Sequence, residues 1–288
     1  MLKNYLSYLG VLVLACFSFY YTDKAADIVK RNDPIMRNIV ANSSSYNVES
    51  VSAYISGDEI IPGINGKEVN ISKSYQNMKK YNSYNDSMYV FNEVTPNISS
   101  VNTFDKYIVS GNTLKNQVSL VFKATDNSYI NTVNNILFNK NVVATFFIDG
   151  SVVENNTPEV LDLVSNGYEI ENLGYDGKYS IEMFGWTNNL ISSITNIDPK
   201  FCYTDYKVSE VIDLCSKYQM YTVKPTISVD NYPFSSVKNN LASGSIISFN
   251  LNNETIKELP SIISYIKQKG YDLVTLSELV NENLIEEK

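Results

Sequence analysis

Histidine is absent from this 288-residue chain. A Ser-His-Asp triad, a Cys-His dyad, an HExxH zinc site and every other imidazole-ligated metal are therefore excluded within it. Chemistry is left to carboxylates, Lys, Tyr, Ser and Cys. Asp126, Asp149, Glu169, Glu171, Asp176, Asp205 and Asp230 fall at or above the ends of predicted strands. Two carboxylates about 5–9 Å apart would suit glycoside hydrolysis, and several together would suit Ca²⁺. Against this stands the plainer reading, that an acidic protein carries solvated loop carboxylates anyway. Tyr168, Tyr175, Tyr179, Phe184, Trp186, Tyr203, Tyr206, Tyr232 and Phe234 crowd the same stretches. Such rings suit sugar stacking or a protein-contact surface, and equally pack on their own strands.

Composition narrows the partners. Lys and Arg number 23 against 31 Asp and Glu, a net charge of −8, which argues against nucleic acid. Hydrophobic residues make up 44% and charged ones 19%, the balance of a folding chain. The length suggests about two domains. Cys202 and Cys215 could be oxidised in an exported protein, or be two buried small apolar residues.

The elements that must position these groups change character along the chain. Leu6 to Tyr21 is almost unbroken apolar sequence, near the shortest helix, about 17 residues, that spans a bilayer. An uncleaved signal anchor (residues 1–21), a cleaved signal peptide and a lipoprotein signal ending at Cys16 all compete. The apolar run past Cys16 and the missing small-x-small cleavage site favour the anchor. Lys24, Lys30, Arg31 and Arg37 follow the run and count against a cytoplasmic amino end. A short leading segment before a long domain nevertheless places the body outside the cell membrane. Residues 22–47 read as a polar, partly helical stalk, broken at Asp33-Pro34 and at 42–45. Residues 48–113 read as a small α+β module, with strands near 48–55 and 88–94 and a helix over 72–80.

From 114 to 288 strands and helices alternate. Val118–Phe122, Val142–Ile148, Phe201–Tyr203, Met220–Val223, Ser245–Phe249 and Asp272–Leu276 are strand-like. Helices are expected over 128–138, from Thr157-Pro158-Glu159 to Gly167, over 208–218 and over 254–269. Repeated β/α units imply a parallel sheet with any site at its carboxyl ends.

Over about residues 115–280 the chain resembles the polysaccharide deacetylase family, the NodB homology domain. The family's first strand runs into Thr-Phe-Asp-Asp-Gly, followed by a helix and a strand reading Ala-Thr-Phe-Phe. Here Val118–Thr125 is followed by a helix and by Ala144-Thr145-Phe146-Phe147. The family's Gly-His-Glu-Ile-Gly-Asn-His stands here as Gly167-Tyr168-Glu169-Ile170-Glu171-Asn172-Leu173. Gly244–Ile247 and Lys267–Leu279 match its closing strand–helix–strand. The resemblance implies a distorted, incomplete (β/α) barrel behind the small module.

It also implies what is gone. Family members use an Asp-His-His metal triad, usually zinc, with an Asp base, an Arg-bearing loop and a late His acid. The base position is Lys123, the metal Asp is Ala124, and the metal histidines fall on Leu173 and Gly177. The Arg-bearing loop reads from Tyr203 to Lys207, and the acid's strand ends on Asn250. No metal, cofactor or catalytic residue is therefore expected. Lys123 places a positive charge where the dication would sit, and pairing with one of the nearby acids would let it replace the metal structurally. The expected protein is a membrane-anchored pseudoenzyme binding a cell-envelope glycan or a protein partner. Its groove residues would be Tyr168, Tyr175, Trp186, Tyr203, Asp205, Tyr206, Asp230 and Tyr232. The alternatives are a carbohydrate-modifying hydrolase using other carboxylates, and a partner-regulating subunit acting through 48–113.

Overall fold

The computed structural model describes residues 2–284, with the side chains of residues 2–10, 23 and 26 outside the description. Met1 and residues 285–288, the outer ends of the expected anchor and barrel segments, lie outside the described residues. The chain forms two compact units, one of residues 1–50 with 66–94 and one of residues 51–65 with 95–288.

The smaller unit opens with α1 (Leu2–Asn32) and α2 (Pro34–Asn42). Asp33-Pro34 is a helix start as well as a break. Asp33 accepts the Ile35 N–H at 2.8 Å as N-cap, and Pro34 takes the first helical position. In the larger unit come β1 (Tyr54–Ser56) and β2 (Glu59–Ile61). The smaller unit then adds β3 (Gly66–Val69), α3 (Ile71–Lys80) and β4 (Phe91–Val94), with β3 and β4 antiparallel. Its core is Ile35, Ile39, Val69, Met78 and Tyr89. Among the described residues no helix is long and apolar enough to cross a membrane. The spanning helix expected over 1–21 is thus not supported. Its apolar run merges into the longer α1, which continues through Lys24, Asp27, Lys30 and Arg31, and residues 6–10 have no described side chains.

The larger unit continues with β5 (Tyr107–Ile108), β6 (Gln117–Ala124), α4 (Ile130–Lys140), β7 (Thr145–Ile148), α5 (Gly150–Asn155) and α6 (Thr157–Ser165). Next are β8 (Glu169–Asn172), α7 (Ile181–Thr195), β9 (Phe201–Tyr203), α8 (Ser209–Lys217), β10 (Tyr221–Val223) and β11 (Ile227–Val229). The chain closes with α9 (Pro233–Asn240), β12 (Ile246–Asn250), α10 (Asn253–Gln268), β13 (Asp272–Val274) and α11 (Leu276–Val280). One sheet runs β1-β2-β5-β10-β9-β8-β7-β6-β12-β11, with β13 beside β6. Apart from the β1–β2 pair its neighbours are parallel.

Alternation along each strand sends side chains to two faces. The inner face gathers Val121, Phe147, Phe201, Tyr203, Val223 and Ile246, closed from below by Leu276 and Leu279 of α11. The outer face packs Leu120, Phe122, Phe146, Ile148 and Phe249 against the helices. The sheet is a curled half-barrel, as the incomplete barrel expectation requires. The segment 48–113 is shared between the two units. Tyr107 and Ile108 pair with Thr222 and Val223, drawing 51–65 and 95–113 into the large sheet.

Candidate functional site

The parallel strands of the half-barrel end together, so their last inward residues converge. Lys123, the last inward-facing residue of β6, lies beside Phe147 of β7 and in register with Asn250 of β12. Its ammonium is 2.9 Å from Asp205 Oδ2 and 3.2 Å from Oδ1. The Lys123 side chain is 13% exposed and that of Asp205 33%. Asp205 also accepts the Tyr203 hydroxyl at 2.6 Å and the Ser228 hydroxyl at 3.3 Å. Tyr203 is buried on the inner face against Phe147, its hydroxyl 2.8 Å from Ser248 Oγ. Burial first, and the Asp205 carboxylate second, push the Tyr203 phenol well above its ordinary range. It stays a neutral donor. The Lys123 ammonium lies 5.1 Å from the Tyr203 ring centroid, a cation–π contact added to the ion pair.

The loop after β8 is fixed by a different carboxylate. Tyr175 and Lys178 bridge across a tight turn whose central residues, Asp176 and Gly177, both have positive φ (48° and 71°). That is the type I′ requirement, met by Asp-Gly. Asp149, 1% exposed, accepts the Asp176 N–H at 3.0 Å and the Gly177 N–H at 2.8 Å. It also accepts the Ser151 N–H at 2.9 Å and hydroxyl at 2.7 Å, capping α5.

A divalent metal does not fit these residues. Ala124, Leu173 and Gly177 present no donor atom, and the one carboxylate beside Lys123 is neutralised by its ammonium. Among the described residues no group of three His, Cys, Asp or Glu side chains is placed to hold a metal ion. Glu171 and Glu169 of β8 are occupied as acceptors. Glu171, 2% exposed, takes the Lys200 and Phe201 N–H groups at 2.7 and 2.8 Å, and Glu169 takes the Thr145 hydroxyl at 2.7 Å. Burial first, then the Glu169 charge, raise the Glu171 carboxyl well above the usual carboxylate range.

Of the expected groove residues, the structure brings Tyr203 and Asp205 together with Lys123. Tyr206 and Tyr232 are each 77% exposed on the loops following β9 and β11, and Asp230 is exposed in the latter. Tyr175 is half-buried and donates its hydroxyl to Glu154 at 2.7 Å. Two residues stand elsewhere. Tyr168 precedes β8, at the opposite end of the strand, buried against Phe146. Trp186 lies on the covering helix α7, 51% exposed, because Ser180 caps a helix where a loop was expected. Ser228 and Ser248 complete the Asp205–Tyr203 network. Their only sequence signal was an inward-facing polar residue on an otherwise apolar strand.

Comparison with known proteins places this arrangement. The polysaccharide deacetylase family model matches residues 110–240. The uncharacterised Bacillus subtilis protein YlxY is 29% identical over 277 residues, 88% of this chain and 86% of that protein. Among solved structures, the wild-type CE4 family pseudoenzyme BA3943 of Bacillus anthracis superposes with a TM-score of 0.68 at 24% identity. That match covers 87% of this chain and 96% of the other. A mutant of the same pseudoenzyme with restored enzymatic activity gives 0.69 at 24%, covering 87% and 99%. Bacillus subtilis PdaA, a family 4 carbohydrate esterase, gives 0.54 at 16% identity over 62% of this chain and 86% of that one. These structural likenesses are likenesses of fold. With the ordered motifs, the family match over residues 110–240 and the half-barrel in agreement, the chain carries a divergent polysaccharide deacetylase-like domain of the NodB type.

Proposed function

We propose that this protein is a catalytically inactive deacetylase-like protein of the cell envelope. Its barrel mouth would bind a cell-envelope glycan or a protein partner without turning it over. One observation carries the reading. The Lys123 ammonium, paired with Asp205, occupies the strand end where the family places its base and metal. Zinc hydrolysis needs about three protein ligands and an open position to bring its water's pKa to about 7, and this donor set supplies neither. The name pseudoenzyme borne by the Bacillus anthracis protein of similar fold points the same way. Tyr206 and Tyr232, exposed at the carboxyl end of the sheet, leave ring faces for a ligand. The Cys202–Cys215 disulfide supports an oxidising compartment outside the cytoplasm. The exposed apolar residues from Val11 to Tyr21 support attachment to a membrane.

The test measures metal content of the purified protein together with acetate release from acetylated chitooligosaccharide and peptidoglycan. Metal well below one equivalent and no acetate are expected; stoichiometric zinc with turnover overturns the reading. Retention on peptidoglycan assigns the mouth to glycan, and an empty pull-down removes the peptidoglycan reading.

A further inference from the structure

Where α1 meets α2 in the smaller unit, the surface holds a groove of about 630 Å³. Met36, Val40 and Ile71 give it an apolar wall, while Lys30, Arg31 and Arg37 rim it. Asp27 is the single acid among its lining residues. Among the described residues neither Arg31 nor Arg37 is in an ion pair, although this unit does pair Lys79 with Asp33 at 2.6 Å. Two guanidinium groups without a carboxylate partner beside an apolar wall suit a ligand that is anionic at one end and apolar at the other. Guanidinium binds phosphate oxygens in a two-pronged fashion, which strengthens the match.

The apolar surface leading to the groove identifies the occupant. From Val11 to Thr22 every residue of α1 is exposed, with no buried face. A helix apolar on all sides belongs in an apolar surrounding. Phe17, Phe19, Tyr20 and Tyr21 end this stretch just before Lys24, the order of aromatic then basic residues found at a lipid–water boundary. Exposed apolar side chains resume at Ile28 and Val29, directly before Lys30 and Arg31, so apolar surface reaches the groove itself.

We propose that this groove seats the anionic headgroups of membrane phospholipid, the Arg31 and Arg37 guanidinium groups on the phosphates and the apolar wall against the acyl boundary. The proposal is independent of what the deacetylase-like unit binds. Each basic residue near an anionic lipid surface strengthens partitioning about fivefold. The full-length protein should therefore favour phosphatidylcholine vesicles containing phosphatidylglycerol over phosphatidylcholine alone. In the Arg31→Gln/Arg37→Gln variant that preference should fall by about 25-fold, with neutral-vesicle binding unchanged. Arg31→Lys/Arg37→Lys should keep most of it. Equal binding to both vesicles, failure to bind either, or a preference that survives the double Gln substitution overturns the proposal. An unchanged melting temperature in the Gln variant shows that the loss is not unfolding.

Discussion

Lys123 is a cation held at the strand ends by a single carboxylate. An ammonium 13% exposed is tolerated because Asp205 faces it at 2.9 Å and the Tyr203 ring lies 5.1 Å away. Removing it leaves Asp205, Tyr203, Ser228 and Ser248 with a net negative charge and no cation. Asp205 is partly exposed, so water recovers some of that loss. Lys123→Ala should cost about 1–2 kcal/mol, lowering Tm by about 2–8 °C. A double-mutant cycle with Asp205→Ala should return a coupling near 1 kcal/mol. Additive effects would show that the pair does not hold the strand ends together. The sequence made the cation legible at a position where the family keeps an acid. It did not single out Asp205 among seven candidate carboxylates, because the partner lies 82 residues away and only the half-barrel unites them.

Element by element, the sequence read best where hydrophobic period and capping agreed. The helix over 72–80 and the strands at 118–122 and 142–148 appear as α3, β6 and β7 with ends shifted by a few residues. It read worst where tertiary contacts decide. β5 is two residues long and exists because Thr222 and Val223 pair with it. α7 carries Phe184, Thr187 and Ile191 inward, yet its Gly185, Trp186 and polar residues obscured that period. The pair β9–α8 is the element contact with a covalent tie, Cys202–Cys215, buried in a cluster with Phe184, Leu214 and Met220. A disulfide closing a loop of about 15 residues stabilises by about 3 kcal/mol through the unfolded chain. Cys202→Ala/Cys215→Ala should therefore lower Tm by about 6–12 °C. A reductant should do the same to the wild type and nothing further to the variant. A wild type insensitive to reductant would mean the two thiols are not joined in solution.

At the scale of the larger unit, two buried glutamates work in opposite directions with pH. Glu282, 3% exposed, ties the chain's end to segments far earlier in sequence. It accepts the Gly63 N–H at 3.0 Å, the Ser100 N–H at 2.6 Å and hydroxyl at 2.8 Å, and the Ser99 hydroxyl at 2.5 Å. Burial alone would raise its pKa, but these donors outweigh burial and hold the carboxyl below its ordinary 4.5. Its stabilising contribution is thus complete above about 4.5 and is lost as pH falls through the lowered folded value. Glu171 is raised, so its contribution is complete below about 4.5 and is lost as pH rises through the raised folded value. Lys115, hydrogen-bonded to the Asn281 carbonyl and pushed down to about 8 by burial, stays mostly protonated up to neutral pH and changes stability mainly at higher pH. Between acid and neutral pH the stability should peak in a mildly acidic window. Glu171→Gln keeps an acceptor for the Lys200 and Phe201 N–H groups without the charge, so urea unfolding should show a flattened neutral limb and equal or higher stability at pH 7. Glu282→Gln sets an amide N–H₂ against existing donors and should cost about 1–3 kcal/mol near pH 6, with a shallower acid limb. Parallel pH profiles for both variants and the wild type would remove these two carboxylates as the origin of the window.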